Sequence, residues 1–188
     1  MKTMFLMGLS AGALLLSGCT PTVSASKGAA AVADLVDATG KPAGTAIVTE
    51  STDGLWLDVS VKGVTAGPHG LHVHTVGKCD APDFVTAGGH WNPTAHQHGH
   101  KNPQGPHAGD APNLIANAKG AGRLKTWLGA GLVATGATPL LDADGAAVVL
   151  HADADEEMTD PSGKSGKRIL CGVVLEFKGE RLRVLAQT

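Results

Sequence analysis

The sequence predicts an all-β domain, a sandwich or barrel of Greek-key type with two long loops. Seven to nine short runs of strand character are separated by turn signals. The 188 residues include 26 Gly and 10 Pro, and no helical period is sustained anywhere. Hydrophobic residues make up 43% and charged residues 17%, which excludes a disordered chain and provides for a core. The length suits a single domain, burying roughly two-thirds of its unfolded surface. A net charge of −2 leaves no electrostatic footprint for nucleic acid.

The elements follow in order along the chain. Ala29 to Val36 alternates weakly and ends at the turn Asp37-Ala38-Thr39-Gly40-Lys41-Pro42. Gly44 to Glu50 carries the β-branched Thr45, Ile47, Val48 and Thr49, and Ser51-Thr52-Asp53-Gly54 turns again. Leu55, Leu57, Val59 and Val61 alternate with Trp56, Asp58, Ser60 and Lys62, the clearest period-two pattern present. Gly70 to Thr75 is a further strand. Residues 76–112 have no periodicity and are rich in Gly, Pro, Asn and His, which marks a functional loop rather than a connection. Strands resume at Asn113–Ala118 and Arg123–Leu128, then at Ala146–His151. A polar loop at 152–168 leads into Ile169–Phe177, and a last run covers Arg181–Leu185.

Ahead of the strands, Lys2 and the apolar run Met4–Leu16 read as a secretion signal, too short to be a spanning helix. Leu16-Ser17-Gly18-Cys19 resembles the bacterial lipoprotein cleavage box. The resemblance implies removal of residues 1–18, lipid attachment at Cys19 and a tether over 19–28, with the domain at 29–188. It also implies an exported protein anchored in the cell envelope and facing the periplasm. Thr20, rather than Asp, after the cysteine favours the outer membrane. With Cys19 committed to lipid, Cys79 and Cys171 are the one remaining pair, and in an oxidising compartment a disulfide is expected.

Eight of the nine His lie between His69 and His107, where an even spread would place about two. His72 and His74, at i and i+2 on a strand, project from one face. His90 follows Gly88-Gly89 on a tight turn, and His107-Ala108-Gly109-Asp110 spaces two ligand types three apart. With His98, these residues offer a zinc set of three imidazoles and one carboxylate. His72, His74, His90 and the distant His151 offer an all-imidazole set suited to copper. His90 appears in both, so spacing alone supports one or two metal sites.

Gly70-Leu71-His72-Val73-His74, Gly88-Gly89-His90-Trp91-Asn92-Pro93, Gly105-Pro106-His107-Ala108-Gly109-Asp110, Val148-Val149-Leu150-His151 and Arg168-Ile169-Leu170-Cys171-Gly172-Val173 stand in order over residues 29–175. Together they resemble copper/zinc superoxide dismutase of the bacterial exported type. The resemblance implies an eight-stranded Greek-key β-barrel whose active site lies outside it, between the two long loops. It implies one copper per subunit on His72, His74, His90 and His151, and one zinc on His90, His98, His107 and Asp110, with His90 bridging. It also assigns the Cys79–Cys171 disulfide and makes Asp155 the carboxylate that links a copper-bound and a zinc-bound histidine. His69 is given a structural role.

The implied activity is dismutation of superoxide, with His90 passing a proton and Arg168 docking the anion, and Lys164 and Lys167 adding to the attracting field. Relatives of this barrel pair through different faces or stay monomeric, so a homodimer is one assembly the resemblance allows. Three features depart from the family pattern: Lys164 where Asn is common, the continuation over 176–188, and His96 and His100 flanking His98. Those two histidines read either as a solvated loop or as an accessory capture site for metal. Two further function classes fit a metal cluster in general, a metal store and a surface β-domain that metal merely braces. Both are weakened by Arg168.

Overall fold

The computed structural model describes residues 29–177 other than Leu132, within one compact unit, Ala25–Gly179. The signal segment 1–18, Cys19, the tether 19–28 and the run Arg181–Leu185 lie outside the described residues. The strands are β1 (Ala29–Asp37), β2 (Pro42–Ser51), β3 (Gly54–Val61), β4 (Gly67–His74), β5 (Asp110–Ala116), β6 (Gly122–Gly129), β7 (Ala147–His151), β8 (Arg168–Val173) and β9 (Leu175–Glu176). All pairings are antiparallel, in the order β1-β2-β3-β6-β5-β4-β7-β8, and β8 pairs back onto β1. This closes an eight-stranded barrel, with no free edge among the described residues. The consecutive strands β4, β5 and β6, with β3 returned beside β6, make the Greek key.

Alternation sets the core. Leu55, Leu57, Val59 and Val61 on β3 all point inward and are buried, while Trp56, Asp58 and Ser60 face outward. They meet Leu35 and Val48 from the β1–β2 side and Leu71, Val73, Leu114, Val148 and Leu150 from across the barrel. Truncating one such leucine to Ala costs about 2–5 kcal/mol. At the β3 start, Gly54 holds φ +124°, and a side chain there would strike the Gly129 backbone.

β4 and β7 are different. From His69 to His74, and throughout β7, every residue is buried, so no alternation of exposure survives. Their inward residues join the barrel core. On the outer face of the sheet, Ala147 and Val149 pack with Phe84, Ala87, Cys171 and Cys79 in a second, smaller cluster. The long loops at 75–109 and 152–167 therefore cover this side of the barrel, and a closed polar site can form beneath them.

Two expectations are corrected in detail. Ile169–Phe177 is not one strand: β8 ends at Val173 and β9 resumes at Leu175, with buried Val174 between them donating its N–H to Ala146 O at 2.9 Å. Both pieces keep one register against β1 (Val36↔Cys171 and Val32↔Leu175), so the break is local. The loop at 75–109 also contains a single 3-10 turn, Val85–Ala87, and β5 starts at Asp110, three residues earlier than expected.

Candidate metal centre

Five parts of the chain converge outside the barrel. β4 supplies His72 and His74, β7 ends on His151, and β5 begins with Asp110. His90 is drawn against β4 by an isolated antiparallel bridge to His74. His98 and His107 come from the same long loop, and Asp155 from the loop at 152–167. All eight side chains are buried.

His72, His74, His90 and His151 form one group in which one nitrogen from each ring lies within 4.8 Å of the other three. Three of the rings are anchored through their other nitrogen. His72 Nε2–H donates to Asp155 Oδ2 at 2.7 Å, His74 Nδ1–H to Gly88 O at 2.9 Å, and His151 Nδ1–H to Gly166 O at 3.2 Å. Each anchor fixes a tautomer and leaves a lone pair pointing into the cluster. Those facing atoms, His72 Nδ1, His74 Nε2, His90 Nε2 and His151 Nε2, are buried without a hydrogen-bond partner. Buried polar atoms are rarely left so, and four converging lone pairs are what a soft, imidazole-preferring cation requires. Burial keeps the rings neutral. It lowers His72, and pushes His74 down to about 2, His151 to about 3 and His90 to about 4, Asp110 partly offsetting the last.

A second group surrounds the Asp110 carboxylate. His90 Nδ1 lies 2.8 Å and His107 Nδ1 3.3 Å from Asp110 Oδ1, and His98 Nδ1 lies 3.0 Å from Oδ2. His107 Nδ1 is 3.4 Å from His90 Nδ1. The His98 contact is short yet lacks hydrogen-bond geometry, since Nδ1 has no partner by that criterion. A cation between this nitrogen and the carboxylate would take the place of the proton that the His98 ring holds in the metal-free chain. The four residues that each bring one donor atom within 4.8 Å of the others here are His72, His90, His98 and Asp110. His72 is already committed through Nε2 to Asp155. His107 Nδ1 also faces the carboxylate, from outside that grouping. Gly99 N–H and His107 N–H donate to Asp110 Oδ2 at 2.9 and 3.0 Å and hold it in place. Burial would raise Asp110, but the His90 hydrogen bond, the close His98 ring and the Gly99 N–H hold it well below the usual carboxylate range.

Asp155 joins the two groups. Its Oδ2 accepts from His72 and its Oδ1 from His98 Nε2–H, at 2.7 and 3.0 Å. Asn113 on β5 grips the Asp155 backbone in both directions, at 2.7 and 2.8 Å. Gly163, at φ +59°, passes so close that a Cβ would fall on the Asp155 carboxylate and crowd His98 Nε2. His69 is buried, with Nδ1 2.8 Å from His151 O and Nε2 2.9 Å from Thr65 O, so it ties the ligand strand to the turn before β4. His96 Nδ1–H donates to Pro106 O and His100 Nε2–H to Asp110 O, both at 3.1 Å. Neither belongs to a third ligand group among the described residues.

Arg168, half-buried, donates from Nη1 to Phe84 O and from Nη2 to Gly88 O, both at 2.7 Å. Burial lowers its pKa while Asp83 opposes the shift, and a guanidinium stays charged regardless. Cys79 and Cys171 are bonded and fasten the loop bearing Phe84 and Gly88 to β8. Lys164 (φ +57°) and Lys167 are exposed on the loop before Arg168.

The family model for copper/zinc superoxide dismutase (SODC) matches residues 42–174, most of the barrel and every residue of both groups. The chain belongs to the copper/zinc superoxide dismutase family. It is 42% identical to the superoxide dismutase [Cu-Zn] of Caulobacter vibrioides over 72% of this chain and 79% of that one. It is 36% identical to superoxide dismutase [Cu-Zn] 2 of Aquifex aeolicus over 90% and 98% of the two chains. Among solved structures, a SOD-like protein from Bacillus subtilis superposes with a TM-score of 0.73 at 39% identity, covering 77% of this chain and 97% of that one.

Copper/zinc superoxide dismutases are oxidoreductases that use copper and zinc, and the two ligand groups fit such a metal pair. Asn113, Gly163 and Asp160 also shape this superoxide dismutase site and were not singled out from the sequence. Asn113 sits in an ordinary strand, and Gly163 and Asp160 sit in a polar loop, so nothing in spacing distinguishes them.

Proposed function

We propose that this chain converts two superoxide anions and two protons into dioxygen and hydrogen peroxide in the bacterial cell envelope. Copper is held by His72, His74, His90 and His151, and zinc by His90, His98, His107 and Asp110. The observation that carries the reading is the set of four buried, partnerless imidazole nitrogens facing one point. Copper supplies a one-electron couple that the same anion can both reduce and re-oxidise, while zinc supplies charge without redox chemistry.

The chain's residues do the rest. Arg168 draws the anion toward the group and docks it on a charged fork whose position the Phe84 and Gly88 carbonyls fix. Lys164 and Lys167 add to the field around that entrance. His90 has one nitrogen in each group, so its Nε2 is the atom that takes up a proton and gives it to the reduced product. Asp155 holds His72 and His98 through Nε2 and so leaves their Nδ1 atoms free, while Asp110 faces His90 Nδ1 and leaves His90 Nε2 open. Phe84 and Val149 pack together behind the loop that carries Gly88.

His151→Ala tests the assignment. It removes one copper donor from a strand end and leaves the second group intact. We expect copper binding and activity to be lost while one zinc per chain is retained. Loss of zinc in parallel with copper would reject the division into two sites. The envelope location rests on residues 1–28, and Cys19→Ser tests it: labelled fatty acid should be absent from the variant and present in the parent, with the parent found in the membrane fraction.

A further inference from the structure

The loop at 152–167 places a second carboxylate against the zinc-side histidines, and it comes from a residue outside both ligand groups. Asp160 Oδ1 accepts the His98 backbone N–H at 2.7 Å. The same oxygen lies 3.6 Å from His107 Nε2. His107 Nδ1 faces Asp110 and His90, so Nε2 is the nitrogen that carries the proton and points at Asp160. At 3.6 Å this is a charge facing an N–H rather than a direct hydrogen bond. One carboxylate therefore touches two residues of the same group, 62 and 53 positions away in sequence.

Its own turn holds Asp160 in place. Thr159 N–H donates to Glu156 Oε1 at 2.9 Å, Gly163 N–H to Thr159 O at 2.8 Å and Glu156 N–H to Gly163 O at 3.0 Å. The turn is also tied to the histidine loop, because Lys101 N–H donates to Glu157 O at 2.9 Å and Asn102 Nδ2 to Met158 O at 3.2 Å. A side chain on such a frame is oriented before any ligand arrives. That separates it from Glu157, whose carboxylate is turned to Lys101 and Asn113 instead.

We infer that Asp160 is a positioning residue for the zinc site, fixing the His98 backbone and the orientation and basicity of His107. The inference rests on the zinc reading above. A carboxylate beside the outer nitrogen of a ligating imidazole makes the inner nitrogen a better donor, and removing such partners lowers metal affinity about 10- to 100-fold. Asp155 already serves His72 and the His98 ring, so Asp160 completes the support of the group by reaching His107, which Asp155 does not.

The test compares the parent with Asp160→Asn, Asp160→Ala and Asp160→Glu. Zinc affinity is read by competition with a chromophoric chelator, and geometry by the visible spectrum of cobalt(II) bound in place of zinc. Copper affinity and apoprotein melting temperature are measured alongside. We expect Asp160→Ala to weaken zinc about tenfold or more and to alter the cobalt spectrum. Asp160→Asn should fall between, since it can still accept from His98 but carries no charge, and Asp160→Glu should recover part of the loss. Copper affinity should stay within about twofold. Parent-like zinc affinity and cobalt spectrum in Asp160→Ala would overturn the inference. So would equal loss of both metals in step with a lowered melting temperature, which marks a merely structural role. If the parent itself gives no tetrahedral cobalt spectrum, the zinc reading fails, and the inference with it.

Discussion

His74 and Arg168 are joined through one oxygen: the Gly88 carbonyl accepts His74 Nδ1–H at 2.9 Å and Arg168 Nη2–H at 2.7 Å. The same peptide thus aims an imidazole of the first ligand group and positions the guanidinium proposed to receive the anion. Gly88 lies in the loop fastened to β8 by Cys79–Cys171, a link spanning 92 positions.

Breaking that link should therefore damage activity before it damages zinc binding. In the chain-entropy account, a closed loop of this length is worth about 4–5 kcal/mol. Cys79→Ala/Cys171→Ala should melt at a lower temperature, keep one zinc, and lose most of its kcat/KM. Unchanged activity at full copper occupancy would show that the loop needs no fastening to aim Gly88.

Removing the charge at Arg168 separates docking from metal binding. Arg168→Ala should lower kcat/KM at least about tenfold and flatten its dependence on ionic strength, with both metals retained. Arg168→Lys should fall between, because an ammonium cannot reach the Phe84 and Gly88 carbonyls as a planar fork does. Stopped-flow decay of superoxide across a salt series reads both effects.

Asp155 spans the two metal groups, and Gly163 leaves the space it occupies. Asp155→Asn should weaken metal binding about 10- to 100-fold. Gly163→Ala should resemble it, since the added methyl displaces the same carboxylate. Metal content after dialysis against a graded chelator series checks both, and a parent-like Gly163→Ala would show that the loop can move aside.

The barrel was readable where one face of a strand meets water. Leu55, Leu57, Val59 and Val61 advertise β3 because Trp56, Asp58 and Ser60 point outward. β4 and β7 hide this signal, since loops bury their outer faces, and they were legible only through β-branched Val73 and Thr75 and the Asp142-Ala143-Asp144-Gly145 turn before Ala146. Spacing proposed His90 for both metals but could not decide it, because sharing depends on which ring nitrogen faces which group. The resemblance picked Asp155 from a run of acids, whereas Asp160 in the same run stayed invisible. Its role comes from a turn that folds it back onto residues more than fifty positions earlier. The division of Ile169–Phe177 at Val174 was equally hidden, for inward and outward apolar residues look alike in an unbroken run.

The metal-free protein should be most stable near pH 6.5. Burial holds His74, His151 and His90 at about 2, 3 and 4, below the ordinary 6.5. Below pH 6.5 the unfolded chain takes up protons that these rings refuse, so stability falls as pH drops. Asp110 and Asp155, held below the ordinary 3.8, add a further loss only in stronger acid. For His98, burial acts downward but is outweighed by Asp110 and Asp155, which raise it to about 9. The folded state then keeps a proton the unfolded state releases above pH 6.5, and stability falls again as pH climbs toward 9. Bound metal displaces these protons, so the fully loaded form should show a flatter profile. Calorimetric melting temperatures from pH 4 to 9 check the dome, and an apoprotein that keeps gaining stability up to pH 9 would contradict it.

The central claim is that the partnerless nitrogens of His72, His74, His90 and His151 hold the copper at which superoxide is consumed. Metal analysis combined with a superoxide-consumption assay, before chelation, after it, and after stepwise return of zinc and then copper, tests it directly. The account predicts one zinc and one copper per chain, no activity with zinc alone, and activity rising in proportion to copper up to one equivalent. A chain that takes up both metals in full yet leaves superoxide unconsumed would contradict it and would point instead to a metal store or a metal-braced surface domain.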